Sequence, residues 1–139
     1  EMIVYERTEK GESLTSEALC ELYKNIYQKY WGPDMLVADE EQYTWARIPH
    51  FYYNFYVYQY ATCFASSAQI YNKMTTGSDK DREKATADYL ELLKSGGNDY
   101  PMEQLKKAGV DLTQPEPVTA IVQQLDKMVG LLEQEFDRL

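Results

Sequence analysis

Side chains at Leu19, Leu22, Tyr23, Ile26, Tyr27 and Tyr30 recur at intervals of three and four, the repeat of one buried helix face. Thr15 stands where an N-cap belongs, Leu14 and Leu19 are placed as a staple pair across the first turn, and Gly32-Pro33 stops the helix. Ahead of it, the start through Glu9 reads as a helix end closed by Gly11, and Met2-Ile3-Val4-Tyr5 as the tail of an element that begins earlier. Asp34 to Asp39 form a connector, and Glu40 to Arg47 a short helix ended by Pro49, which disfavours helix at Ile48. Later, Ser78 caps a helix over Asp79 to Lys94, with Ala85, Tyr89, Leu92 and Leu93 on its apolar side and Gly96-Gly97 at its exit. Pro101 opens a short helix to Ala108, with Gly109 in the exit position. The clearest repeat comes last: Val118, Val122, Leu125, Val129, Leu132, Phe136 and Leu139, spaced four and three alternately after Pro115 and Pro117, predict a packing helix. No stretch has the period of a strand and no repeat or linker divides the chain. Residues 1–139 are therefore expected to form a single all-α unit, a bundle of about five to six helices.

One segment departs from ordinary amphipathic spacing. From Phe51 to Tyr60, directly after the single histidine His50, seven of ten residues are aromatic. The block passes without a helix breaker into the small residues Ala61 to Ala68, so one long helix is expected from Phe51 to about Met74, ended by Gly77. On that helix Tyr52, Tyr53, Tyr56 and Tyr60 would share one half of the surface, and Phe51, Phe55 and Tyr58 the other. A core needing only bulk would use Phe or Leu, which carry no hydroxyl to satisfy. Five tyrosines between Tyr52 and Tyr60 therefore point to phenols that line a wet cleft, the wall of a cavity in a larger molecule.

Composition narrows the partners. The chain has 14 basic and 23 acidic residues, a net charge of −9, so nucleic acid and anionic membrane are expected to be repelled. No apolar run is long enough to span a bilayer, and Glu1-Met2-Ile3 does not open like a signal peptide. Cys20 and Cys63 form neither a close-spaced ligand pair nor a disulfide framework, which fits a cytoplasmic protein. No His-Glu-x-x-His, Cys-x-x-Cys, phosphate loop or Gly-x-Ser-x-Gly elbow is present, and one histidine cannot build a two-histidine zinc site, so no metal ligand is assigned. His50 can be read as a helix-start residue bonded locally, or as a donor to a substrate or intermediate presented at a loop-to-helix junction. The tyrosines divide in the same way, into core rings and phenols able to donate to a developing oxyanion.

The run Arg47-Ile48-Pro49-His50-Phe51-Tyr52-Tyr53-Asn54-Phe55-Tyr56-Val57-Tyr58-Gln59-Tyr60-Ala61-Thr62 closely resembles the C-terminal region of oligoendopeptidase F, in the thimet-oligopeptidase-like zinc metallopeptidases. Gly11-Glu12-Ser13-Leu14-Thr15 and Lys29-Tyr30-Trp31-Gly32 are similar to the segment upstream of that tyrosine run. Ser95-Gly96-Gly97-Asn98-Asp99-Tyr100-Pro101, Ala108-Gly109-Val110-Asp111-Leu112 and Pro115-Glu116-Pro117 resemble the family's closing motif. The likeness covers nearly the whole chain, with its motifs in order.

The resemblance implies the C-terminal part of a larger, mostly helical zincin-type peptidase that cleaves short peptides in a deep channel in the cytoplasm. Its zinc ligands would lie upstream, in a missing N-terminal catalytic part of the same polypeptide. This chain would supply the facing wall: Tyr58 and His50 as catalytic groups stabilising the oxyanion, and Tyr56, Tyr53 and Tyr52 as substrate-binding groups. Alone it would neither bind the catalytic zinc nor hydrolyse peptides. The thimet branch has a longer, glycine-containing loop between the histidine and the tyrosine pair, which leaves open whether Tyr52 or Tyr53 takes the loop tyrosine's role. Phe55 stands at a tyrosine position of that branch, and Cys63 where glycine is expected. Two readings compete with the peptidase: a self-contained helical interaction module with an aromatic interface, and a small-molecule carrier.

Overall fold

The computed structural model describes all 139 residues and contains six α-helices, two 3-10 helices and no strand. The helices are α1 (Met2–Glu9), α2 (Ser16–Trp31), α3 (Tyr58–Thr75), α4 (Asp79–Ser95), α5 (Pro101–Lys107) and α6 (Glu116–Phe136); the 3-10 segments are Asp39–Arg47 and Pro49–Tyr52. The all-α expectation holds. The chain divides into two compact units, Glu1–Tyr58 and Gln59–Leu139.

In the first unit, α1 ends in a Schellman turn. The Gly11 N–H donates to Thr8 O at 2.9 Å and the Glu12 N–H to Arg7 O at 3.0 Å, while Gly11 adopts φ 75°, a conformation that costs glycine little. Thr15 caps α2 as expected, its Oγ1 accepting from the Ala18 N–H at 3.2 Å. The expected short helix after the connector is a 3-10 helix, Asp39–Arg47, and α2 lies against it. Between them the indole N–H of Trp45 donates to Sγ of the buried Cys20 at 3.4 Å. Lys24 pairs with Asp39, whose carboxyl is held below its ordinary value by that hydrogen bond and charge.

In the second unit the core is made of small residues: Ala65, Ser66 and Ala68 of α3, Ala108 and Val110 after α5, and Pro117 and Ala120 of α6 are buried. Ser78 and Asp81 form a capping box at the start of α4. Pro101 is the first residue of α5, which lies against α4. At the end of α5 the Gly109 N–H donates to Lys106 O and the Val110 N–H to Leu105 O, both at 2.9 Å, a second Schellman turn that drives Val110 into the core.

Two expectations are corrected. The predicted helix from Phe51 to Met74 does not exist as one element; α3 begins only at Tyr58. Upstream of it the backbone turns through Asn54 (φ 27°) and Phe55 (φ 53°), a hand that no right-handed helix accommodates. The halves of an ideal helix surface assigned to Phe51 and the tyrosines therefore do not apply before Tyr58. The second correction concerns α6. The helix forms, but its predicted packing stripe is solvent-facing: Leu125 is 61% exposed and Val118, Val122, Val129, Leu132, Phe136 and Leu139 are exposed with it, while Pro117 and Ala120 meet the core.

Candidate active site

The residues assigned to chemistry by the sequence lie in the first unit, along the turn from Pro49 to Tyr58. Pro49 fits the first position of its 3-10 helix because it has no N–H to satisfy there, and His50 follows it. The turn closes with the Tyr53 N–H donating to His50 O at 3.2 Å. His50 is thereby carried next to two later tyrosines. Its ring stacks on Tyr56, centroids 5.4 Å apart at 20°, and meets Tyr53 edge-on at 6.0 Å and 83°. Tyr53 and Tyr56 meet edge-on at 5.9 Å, which completes a triangle of three rings in favourable geometries. His50 is half-buried in it, whereas Tyr53 and Tyr56 are exposed.

Tyr52 goes elsewhere. Its phenol donates to Ala46 O at 3.1 Å, back onto the preceding segment, although the ring is exposed. Of the two neighbours left open by the sequence, Tyr53 is the one that meets His50 and Tyr56. Tyr58 opens α3 and is 58% exposed. Beneath the turn, Phe51 meets Tyr23 of α2 edge-on at 6.5 Å. The Tyr23 phenol is pushed above its ordinary value, first by burial, then by Tyr27 and Glu41, with Arg47 opposing.

Sequence reasoning missed the residues that shape this turn. Glu1 accepts from the Tyr56 N–H at 3.3 Å and from the Val57 N–H at 3.1 Å, one through each carboxylate oxygen. The Tyr5 phenol donates to Asn54 Oδ1 at 3.2 Å, and its ring stacks on Phe55 at 4.1 Å and 26°. A single local signal was available: Asn54 within an aromatic run, since asparagine tolerates a left-handed backbone better than other non-glycine residues. Nothing local marks Glu1 or Tyr5, which act from roughly fifty residues away in sequence.

No group of three or more His, Cys, Asp or Glu side chains gathers closely enough to hold a metal ion, and no helix is long and apolar enough to cross a membrane. The rings that meet His50 are the phenols of Tyr53 and Tyr56, which are not the ligands of a zinc site, and with no ligand cluster elsewhere the residues present do not fit one.

The chain is all-helical, with a histidine and two tyrosines packed together at one turn. Residues 1–124 match peptidase family M3, and the chain belongs to that family. It is 44% identical over 138 residues to the plasmid oligoendopeptidase F of Lactococcus lactis subsp. cremoris, a match covering 99% of this chain and 22% of that protein. Oligopeptidase PepF of Bacillus subtilis (strain 168) is 37% identical over 134 residues, 96% of this chain and 19% of that one. The crystal structure of oligoendopeptidase-F from Enterococcus faecium matches with a TM-score of 0.82 and 38% identity, over 96% of this chain and 25% of that one. The chain thus spans about a fifth of the length of these curated relatives.

Proposed function

We propose that this chain is the C-terminal part of a zinc-dependent oligoendopeptidase that hydrolyses short peptides, and that it supplies the wall of the active site opposite the metal. The observation that carries the reading is the ring triangle of His50, Tyr53 and Tyr56 just ahead of Tyr58, in a chain that belongs to a peptidase family. In this proposal Tyr53 and Tyr56 bind the peptide, and Tyr52 contributes only through the segment it braces. Tyr58 and His50 donate hydrogen bonds to the scissile carbonyl oxygen. That oxygen gains charge as water adds, so each donor holds the tetrahedral intermediate more strongly than the neutral substrate, and the difference lowers the barrier. A phenol offers an O–H donor and an imidazole an N–H donor. The zinc ligands are proposed to lie in the remainder of the same polypeptide, which is this chain's principal partner. A cytoplasmic location belongs to the same proposal, supported by two free thiols, Cys20 and Cys63, and is checked by cell fractionation.

The test is Tyr58→Phe in the complete peptidase. The expected result is a fall in kcat of about 10- to 1000-fold with KM little changed, the signature of a donor used mainly in the transition state. An unchanged kcat removes Tyr58 from the mechanism.

A further inference from the structure

We propose that Glu1 and Tyr5 of the α1 region are positioning residues for this active site: from outside the turn, they fix the left-handed backbone at Asn54-Phe55 that sets His50 and Tyr53 against Tyr56, just ahead of Tyr58. The inference rests on the functional reading above and adds two residues to it. Backbone of this hand is costly for residues other than glycine, and it persists where the surroundings over-determine it. Here the surroundings are specific. The Tyr5 phenol holds the Asn54 side chain, the Tyr5 ring lies flat on Phe55, and the two oxygens of Glu1 take the successive N–H groups of Tyr56 and Val57.

The last contact also falls at the start of α3. Neither Tyr56 nor Val57 has a side-chain oxygen that could cap the helix in the manner of Ser or Asp, so the sequence ahead of Tyr58 contains no local start signal. Glu1 supplies a carboxylate there from a distant part of the chain, where negative charge is also favoured by the helix dipole. Because Tyr56 is itself a bonded residue and Tyr58 follows Val57 directly, loosening this contact would let the two tyrosines move relative to His50. Displacement of a donor by about 1 Å is enough to cost a large part of its effect on rate.

Two measurements test the proposal. In this chain, Glu1→Gln keeps the shape but replaces the charged acceptor; amide hydrogen exchange at Tyr56 and Val57 should speed up by roughly tenfold or more, with exchange in the α2 interior unchanged. Tyr5→Phe keeps the ring on Phe55 and removes only the bond to Asn54, so it is a milder second variant. In the complete peptidase, Glu1→Gln should lower kcat by about 5- to 50-fold with KM changed less than about threefold, and Glu1→Asp should restore part of the rate. The decisive comparison is a double-mutant cycle: in a Tyr58→Phe background the Glu1→Gln effect on kcat should shrink by at least about threefold, because one of the two donors that the turn positions has already been removed. Equal kcat losses in both backgrounds would show a merely structural role and overturn the proposal. Unchanged exchange at Tyr56 and Val57 would overturn the clamp itself, whatever Tyr58 does. If Tyr58→Phe alone leaves kcat intact, the functional reading fails and the catalytic part of this inference fails with it, while the exchange result still judges the clamp.

Discussion

The hydrophobic repeat of α6 and the burial of its neighbours make opposite predictions for one pair of substitutions. Leu125 lies in the most regular apolar stripe of the chain yet is 61% exposed, whereas Val110, outside any repeat, is 0% exposed. Both belong to the second unit, so the two substitutions are compared within one compact body. Val110→Ala removes two buried methyl groups. At about 0.8 kcal/mol each that is roughly 1.6 kcal/mol of lost transfer energy, and a cavity term raises the cost to about 2–3 kcal/mol. For Leu125, full burial would stabilise by about 2–3 kcal/mol, and with some two-fifths of the residue shielded the share at stake is about 1 kcal/mol. The better helix propensity of alanine offsets a small part of this. With a urea slope of about 1.5 kcal/mol per molar, Val110→Ala should lower the midpoint by about 1.5 M and Leu125→Ala by about 0.5 M. Equal shifts, or a larger one at Leu125, would mean that the stripe is buried in the isolated chain and that the packing described here is wrong.

Acid should loosen the start of α4. The Asp81 carboxyl is held below its ordinary value, first by the Ser78 hydroxyl and then by the Ser78 N–H, so its contribution is complete above about pH 4 and is lost as the pH falls through the lower folded value. In Asp81→Asn the helix should be weaker at neutral pH, and the difference from the parent chain should vanish in strong acid; a difference that persists there would contradict the assignment. The two thiols should separate kinetically with a disulfide-exchange reagent. Cys63 is exposed and should react at once, while Cys20, 5% exposed beneath Trp45, should react only as the first unit opens; equal rates would contradict the burial.

The parts of the fold that were legible in the sequence are those decided within a few residues. Thr15, Ser78 and Pro101 begin helices, and Gly109 ends one, because each supplies a hydrogen bond, a missing donor or a backbone hand that the helix terminus itself requires. Amphipathic repeats were legible in a weaker sense. The stripe along α6 correctly announced a helix with an apolar face, but such a repeat does not say what lies against that face, and in this chain Pro117 and Ala120 meet the core instead. Small residues gave the opposite error of emphasis: Val110 and Ala108 look unremarkable in the sequence, yet the Schellman turn at Gly109 places both in the core.

The candidate site was legible as a choice of residues and not in its shape. A histidine followed by tyrosines at short intervals marked these groups as candidates, because phenols where apolar bulk would suffice imply something polar to meet them. Their arrangement was misread, since an unbroken aromatic run leading into Ala61 to Ala68 has every local feature of a continuing helix. What stops it is contact with Glu1 and Tyr5, whose combined hydrogen bonds and stacking outweigh a helical preference of a few tenths of a kcal/mol per residue. The consequence bears on chemistry as much as on fold. On a continuous helix, residue pairs 50/56 and 53/56 are separated by fixed turns, and residue 53 lies on the same face as residue 56 rather than across from it. The left-handed turn instead folds the strip back on itself, so that His50 lies flat against Tyr56 and Tyr53 closes the third side. A short spacing between the histidine and the tyrosine pair therefore does not keep His50 and Tyr56 apart; the reversal at Asn54-Phe55 brings the rings together.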